Sequence, residues 1–282
     1  MNVADVMTLR ESLVTVSLPG SRDDALEHLR TGEFSSVPVV KQTDDREVFR
    51  GLVSRETLIE RPDEDQLAIL SEDGPTAAPD ASLQEVAALI QDTGARRVPV
   101  LEGESLAGLV TVTDLLRAIA EGEADGGEVG PLARRSINTT YAGAPLAVVE
   151  RELSYAEVLY AVVLDDEGEV AGIITDIDLV SVATVEEGED AAGESIANED
   201  DEWMWEGIKA VGNRYVPTRN VVFPEGTAAD YMTEELVTVA RTTTAKEAAR
   251  RLLTNDIEQL PLVAGGELIG VVRDVDLLGA LS

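Results

Sequence analysis

A five-residue phrase near one end of the chain, Ala4-Asp5-Val6-Met7-Thr8, returns near the other as Ala229-Asp230-Tyr231-Met232-Thr233. The segments after it return in the same order. A short Val/Thr stretch comes first, Leu13 to Val16 and Leu236 to Val239. Helical stretches come next, Asp23 to Arg30 and Ala245 to Leu253. Apolar triplets with a central proline come third, Val37-Pro38-Val39 and Leu260-Pro261-Leu262. A glycine-led strand closes each copy, Gly51-Leu52-Val53-Ser54 and Gly270-Val271-Val272-Arg273. Internal repetition of this kind constrains the fold first, because each copy is one supersecondary unit that buries its apolar face on its neighbours.

Two further copies lie between. One runs from Leu67–Leu70 through the helix Leu83–Ile90 and Val98-Pro99-Val100 to Gly108 and Asp114. The other runs from Leu132 through Leu146–Val149 and Val162-Val163-Leu164 to Gly172 and Asp178. Nine residues separate Pro99 from Gly108, Val163 from Gly172 and Pro261 from Gly270. In the first copy the interval is thirteen, with Lys41 to Arg46 as a longer hairpin loop. Short β-branched strands alternating with helical patterns give a βαββα unit in an α/β (α+β) fold. The expected domains are repeat one over 1–61, repeat two over 62–124, repeat three over 125–184 with a degenerate first half, and repeat four over 229–282. Residues 185–228 are an acidic insertion that carries both tryptophans, Trp203 and Trp205, and ends in the extended segment Tyr215 to Pro224. It reads either as a linker whose tryptophans cover a core edge or as a lid or docking element.

The chain has 282 residues and 44% hydrophobic side chains, enough for a real core, so its acidity does not mark disorder. It has no cysteine, which excludes a disulfide framework, a zinc ribbon and thiol catalysis. The 55 acidic against 22 basic residues give a net charge of -33. Only Lys41, Lys209 and Lys246 are lysines. This balance resembles proteins of salt-accumulating halophiles, in which screening suppresses repulsion between carboxylates. A nucleic-acid groove needs clustered basic surface that the sequence lacks. With no apolar stretch of membrane length and no signal pattern, the expectation is a cytoplasmic protein with no membrane partner.

The ordered set Asp-x-Met, hydrophobic-Pro-Val and Gly-hydrophobic-hydrophobic-Thr/Ser-x-x-Asp resembles the CBS (cystathionine beta-synthase type) domain. The resemblance covers nearly the whole chain outside the insertion. It implies that the four repeats pair as two Bateman modules, one with two and three with four. Two modules in one chain resemble the gamma-subunit type of AMP-activated protein kinase, in which four copies form a flat disk. The resemblance further implies adenosine-containing ligands (AMP, ADP, ATP or S-adenosylmethionine) in clefts between paired repeats. The implied role is that of a stand-alone sensor that modulates another protein, with a homodimer as a possible assembly and no cofactor of its own.

A carboxylate at a helix start can accept from both ribose hydroxyls, and a Thr or Ser three residues earlier offers a hydroxyl near free backbone N–H groups. A plain helix cap would use the same residues. Thr111 with Asp114 and Thr175 with Asp178 match the pattern in full. Repeat one has Ser54 but Thr57 at the ribose position, and repeat four has Asp276 but Arg273 in place of the hydroxyl. Read across each pair, as the resemblance implies, Asp114 faces Ser35, Ser36, Val37, Pro38 and Arg55. Arg96 and Arg97 face repeat one or simply pair with surface carboxylates. Asp178 faces Glu258, Gln259, Leu260 and Pro261 with Arg273 nearby, and Asp276 faces Tyr160. The charges then favour AMP, ADP or ATP at Asp178 and a less anionic ligand, such as S-adenosylmethionine, at Asp114.

The remaining candidates read as structure. His28 is expected to be a partly exposed helix residue, and Arg134-Arg135 and Arg250-Arg251 solvated helix positions. Clusters such as Asp63–Asp65 and Asp200–Glu202 follow from composition and call for no metal. No nucleophile–base pair and no helix-turn-helix stands outside the repeats, which opposes an enzyme or a DNA-binding regulator. The alternative to a sensor is a ligand-free scaffold with degenerate clefts.

Overall fold

The computed structural model describes residues 1–29, 35–43, 46–61, 64–124, 127–186, 208–211, 214–217 and 220–281. The chain divides into two compact units, Met1–Arg135 with Val237–Ser282, and Ser136–Leu236.

The first unit opens with β1 (Thr8–Leu9), β2 (Val16–Leu18), α1 (Arg22–Leu29), β3 (Ser36–Gln42), β4 (Glu47–Ser54) and α2 (Arg55–Glu60). It continues with α3 (Leu67–Leu70), α4 (Leu83–Thr93), β5 (Arg97–Glu102), β6 (Ser105–Thr111) and α5 (Val112–Glu121). The second unit holds β7 (Thr139–Tyr141), α6 (Leu146–Ala156), β8 (Tyr160–Leu164), β9 (Val170–Thr175) and α7 (Asp176–Val182). It also holds β10 (Thr184–Glu186), β11 (Ile208–Val211), β12 (Arg214–Pro217), β13 (Asn220–Val222) and α8 (Ala228–Tyr231). The first unit is completed by α9 (Ala245–Asn255), β14 (Gln259–Ala264), β15 (Glu267–Arg273) and α10 (Asp274–Leu277).

The expected βαββα unit is present four times. A first extended segment runs parallel to a second, as in Val16↔Val39, Ala77↔Val100, Thr139↔Val162 and Val239↔Leu262. The second then turns back antiparallel into the third. The closing helix is seated identically each time. Arg55, Val112, Asp176 and Asp274 each donate a backbone N–H, over 2.9–3.1 Å, to the carbonyls of Ser35, Arg96, Leu159 and Glu258 respectively. Capping explains the crossover helices: Ser82 and Thr244 accept from the N–H groups of Glu85 and Glu247. In repeat one the strand starts at Val16, where the sequence pattern ends it, because Arg10–Ser12 form a 3-10 turn. In repeat three the register places Ile173 opposite Val162, as Leu109 stands opposite Pro99, so Val162 rather than Val163 holds the proline position. Its hairpin is one residue longer than that of repeat two, since Leu164 pairs with Val170 where Leu101 pairs with Leu106.

The repeats are paired by exchange of their lead-in segments. In the first unit, Thr8 and Leu9 of repeat one add to β6 of repeat two, while Glu72, leading repeat two, bridges Leu52 of repeat one. Val3 lies fully buried in the core of repeat two, and Leu67 and Leu70 in that of repeat one. In the same unit, Arg134, leading repeat three, bridges Val271 of repeat four, and Val129 is buried in that repeat's core. In the second unit, Thr233, leading repeat four, bridges Ile173 of repeat three, and Ala228 is buried there. The Asp-x-Met phrase serves this exchange. Asp5 and Asp230 accept from the backbone N–H of Asn2 and Thr227 over 2.8 Å, and Met7 and Met232 lie over Gly108 and Gly172. A Cβ on Gly108 would stand 2.6 Å from the Thr8 carbonyl oxygen, and one on Gly172 2.8 Å from that of Thr233. The leading glycine therefore makes room for the partner repeat's backbone.

Repeats two and four of the first unit share one apolar core, in which Leu115, Leu116 and Ile119 meet Ala248, Leu252, Leu277 and Leu278. The second unit has its own core around Leu146, Val149, Leu153 and Ile174. Trp203 and Trp205 lie outside the described residues. The Tyr215–Pro224 segment contributes to two short antiparallel pairs, β11 with β12 and β10 with β13.

Candidate functional site

At the cap of α5, the backbone N–H and the hydroxyl of Thr111 donate to one Asp114 carboxylate oxygen at 2.9 and 2.8 Å. The other oxygen accepts from Arg117 at 2.8 Å, and the residue is only 7% exposed. Thr175 and Asp178 repeat the cap at 2.8 and 2.7 Å, on the second unit. Both Thr-x-x-Asp motifs are thus reciprocal capping boxes, the geometry that holds a carboxylate at a helix start. Arg117 is absent from the motif reading, although its spacing of three from Asp114 along a helix is a legible sign.

Repeat one reaches the same cap without the acid. Ser54 Oγ accepts from the Thr57 N–H at 3.0 Å and lies 2.8 Å from the Thr57 hydroxyl, and Thr57 is 2% exposed. Repeat four uses a third solution. Arg273 grips Asp276 through Nε and a terminal nitrogen, both at 2.8 Å, and Arg134 adds a contact at 3.0 Å. Arg273 therefore takes the place of the capping hydroxyl, and its guanidinium is turned onto Asp276. Arg134 and Arg135 are not solvated helix residues. Arg135 donates to the carbonyls of Ile269 and Gly130, so both arginines fasten the lead-in of repeat three to repeat four. Arg250 and Arg251 do lie on a helix, Arg250 exposed as expected and Arg251 half-buried, and they donate to the carbonyls of Ala120 and Thr238. His28 is half-buried on α1.

Burial works against the charge of Asp276, but Arg273 and Arg134 outweigh it and hold the carboxyl below its ordinary range. Such a group contributes stability in full above the unfolded carboxylate value, and that contribution is lost as pH falls through the folded one. We expect Asp276→Asn to cost about 1.5 kcal/mol at neutral pH. Urea midpoints of the variant and the parent should converge on acidification below about pH 4. A difference that stays constant with pH would contradict this pairing.

The two consecutive arginines of repeat two have different partners. Arg97 reaches repeat one, donating to Ser36 Oγ at 2.6 Å and, over a shorter contact, to Ser35 Oγ. Ser36 is 8% exposed, and Arg97 is half-buried. Arg97 also stands directly across the hairpin from Thr111, as Ser36 does from Ser54. Arg97, Ser35, Ser36, Thr111 and Asp114 are therefore one neighbourhood, not the two opposed half-sites that the sequence suggests. Arg55 shares the surroundings of Arg97 and donates through Nε to the Leu29 carbonyl. Burial first, then the like charges of Arg96 and Arg55, holds the Arg97 guanidinium below its ordinary value. Arg96 turns the other way, onto Glu258 at 2.7 Å and onto Asp274. Burial opposes its charge too, but these carboxylates outweigh burial and hold it above the ordinary value. The sequence alternative of carboxylate pairing describes Arg96 and not Arg97.

Val37, Pro38, Leu260 and Pro261 are buried in their strands, so only their backbones remain for a ligand. Gln259, Leu260, Pro261, Arg273 and Asp276 belong to the first unit and Asp178 to the second.

A family model described as the CBS domain matches residues 3–64, 68–121, 129–184 and 228–282, one match for each repeat. The chain is a CBS domain protein. An uncharacterized protein of Methanocaldococcus jannaschii is 22% identical over 278 residues. The match takes in 98% of this CBS chain and 61% of that relative, so the chain spans less than two thirds of the relative's length. A crystal structure of an uncharacterized conserved protein from Pyrococcus horikoshii is similar over 100% of both chains, with a TM-score of 0.70 and 24% identity. A second M. jannaschii protein, suggested as an archaeal homolog of g-AMPK, is similar over 100% of both chains at a TM-score of 0.67 and 18% identity. These likenesses show the fold of four CBS repeats. Among the described residues no helix is long and apolar enough to cross a membrane.

Proposed function

We propose that the chain is a regulatory sensor that holds a phosphate-bearing adenosine ligand between repeats one and two. The observation that carries this reading is Arg97. A half-buried guanidinium whose hydrogen bonds go to two serine hydroxyls, with two further arginines beside it, is a cation in want of an anion. Its cross-strand neighbour leads the Thr111–Asp114 cap, where a carboxylate at a helix start suits a ribose. AMP, ADP and ATP fit this charge better than S-adenosylmethionine does. Occupancy would shift the chain between conformations that a partner protein distinguishes, and concentrated salt would be its working medium.

A ligand-free scaffold is the second reading. It is favoured by the saturation of Asp114, both of whose oxygens already have internal donors. Calorimetric titration with AMP, ADP, ATP, S-adenosylmethionine and NAD in concentrated KCl separates the two. The sensor gives heat with the adenine nucleotides, strongest for those carrying phosphate alone. Silence across the panel leaves the scaffold.

A further inference from the structure

Arg96 and Arg97 are adjacent in the chain, yet they tie repeat two to different neighbours: Arg97 to repeat one, Arg96 to repeat four. The strand registers place Arg96 and Glu258 at the same position of their repeats, and Val112 and Asp274 likewise. Repeats two and four also share a core, and α9 grips the end of α5 through Lys246 on the Glu121 carbonyl at 3.0 Å and Arg250 on that of Ala120 at 3.2 Å. The two carboxylates on Arg96 are unequal. Asp274 is 4% exposed and also accepts from the Val275 N–H at 2.7 Å, whereas the side chain of Glu258 is 43% exposed.

We infer that Glu258 competes with an anion bound beside Arg97 for the Arg96 guanidinium, so that filling the cleft of repeats one and two loosens the tie between repeats two and four. This rests on the cleft reading above. An anion on Arg97 lies one residue along the strand from Arg96 and attracts it. Arg96 is released readily by Glu258, because a solvated carboxylate regains water as it lets go. Buried Asp274 would be left uncompensated and keeps its hold. The coupling is reciprocal: whatever draws Glu258 off Arg96 also strengthens anion binding. Repeat four thereby acts on a cleft to which it contributes no ligand contact.

The test is calorimetric titration of AMP into the full chain, the parent and variants alike. Glu258→Gln should bind AMP about fivefold more tightly than the parent, with Glu258→Asp in between. In an Arg96→Met background the Glu258→Gln gain should vanish, because the contested group is gone. Unchanged or weaker binding by Glu258→Gln, or an equal gain in the Arg96→Met background, overturns the inference. If the parent binds AMP and Arg97→Met does not while Glu258→Gln is silent, the cleft reading stands and this coupling alone falls. A parent that takes up no AMP overturns both. Melting curves of each variant check that the affinities are read on folded protein.

Discussion

Replacing Gly51 by valine is expected to cost the fold about 3–5 kcal/mol, the sum of a left-handed backbone and an overfilled contact. Gly51 has φ +126°, and a Cβ there would stand 2.6 Å from the Glu72 carbonyl oxygen and closer still to Ser71 Oγ. The Glu72 backbone is the one that exchanges hydrogen bonds of 3.0 and 2.9 Å with Leu52. Pushing it away breaks both bonds and draws Leu67 and Leu70, both fully buried, out of the core of repeat one. The comparison that isolates the exchange is Gly103→Ala, at a residue with φ +65° and nothing within 4 Å of its would-be Cβ. That change should cost only about 1 kcal/mol. Urea midpoints of the two variants decide the matter. Equal losses would mean that Gly51 serves its own turn and not the pairing of repeats one and two.

Arg97→Met has its large effect on ligand rather than on fold. AMP affinity should fall about 100-fold or more, since a charge-assisted contact to phosphate is lost from a partly desolvated site. Stability without ligand should stay level or rise slightly. The native arginine holds a desolvated charge against two hydroxyls, and methionine keeps most of the packing without that charge. The opposite pattern, a protein that still binds AMP but melts much earlier, would make Arg97 a structural tie between repeats. Calorimetry and a urea titration on the same preparation read both quantities.

The four βαββα units were legible because their signals are local. Alternating β-branched strands and the Ser82 and Thr244 caps sit within a few residues of what they specify. Helix α9, for example, runs from Ala245 to Asn255 against an expectation of Ala245 to Leu253. The pairing of repeats came from the family resemblance, and its physical means did not. Met7 and Met232 repeat in the sequence, but only the structure shows each covering a glycine of another repeat. Arg273 is an instructive miss. Its spacing of three from Asp276 is an intrahelical ion-pair spacing, and the bidentate grip follows from it, yet the family pattern drew attention to phosphate instead. Carboxylate pairing was an open alternative for Arg96, but its partner was not legible, because Asp274 stands 178 positions away and nothing local marks it. Adjacent arginines with opposite destinations look alike in one dimension. Only the hydrogen bonds of Arg97 to Ser35 and Ser36 of repeat one tell them apart.

The decisive experiment for an anion-holding cleft is a crystal structure of the protein grown with AMP in concentrated KCl. The phosphate is expected within hydrogen-bond distance of the Arg97 guanidinium and the Ser35 and Ser36 hydroxyls, with the ribose turned to Asp114. A phosphate held elsewhere, or a cleft between repeats one and two closed by Arg97 and the serines with AMP in excess, would contradict it.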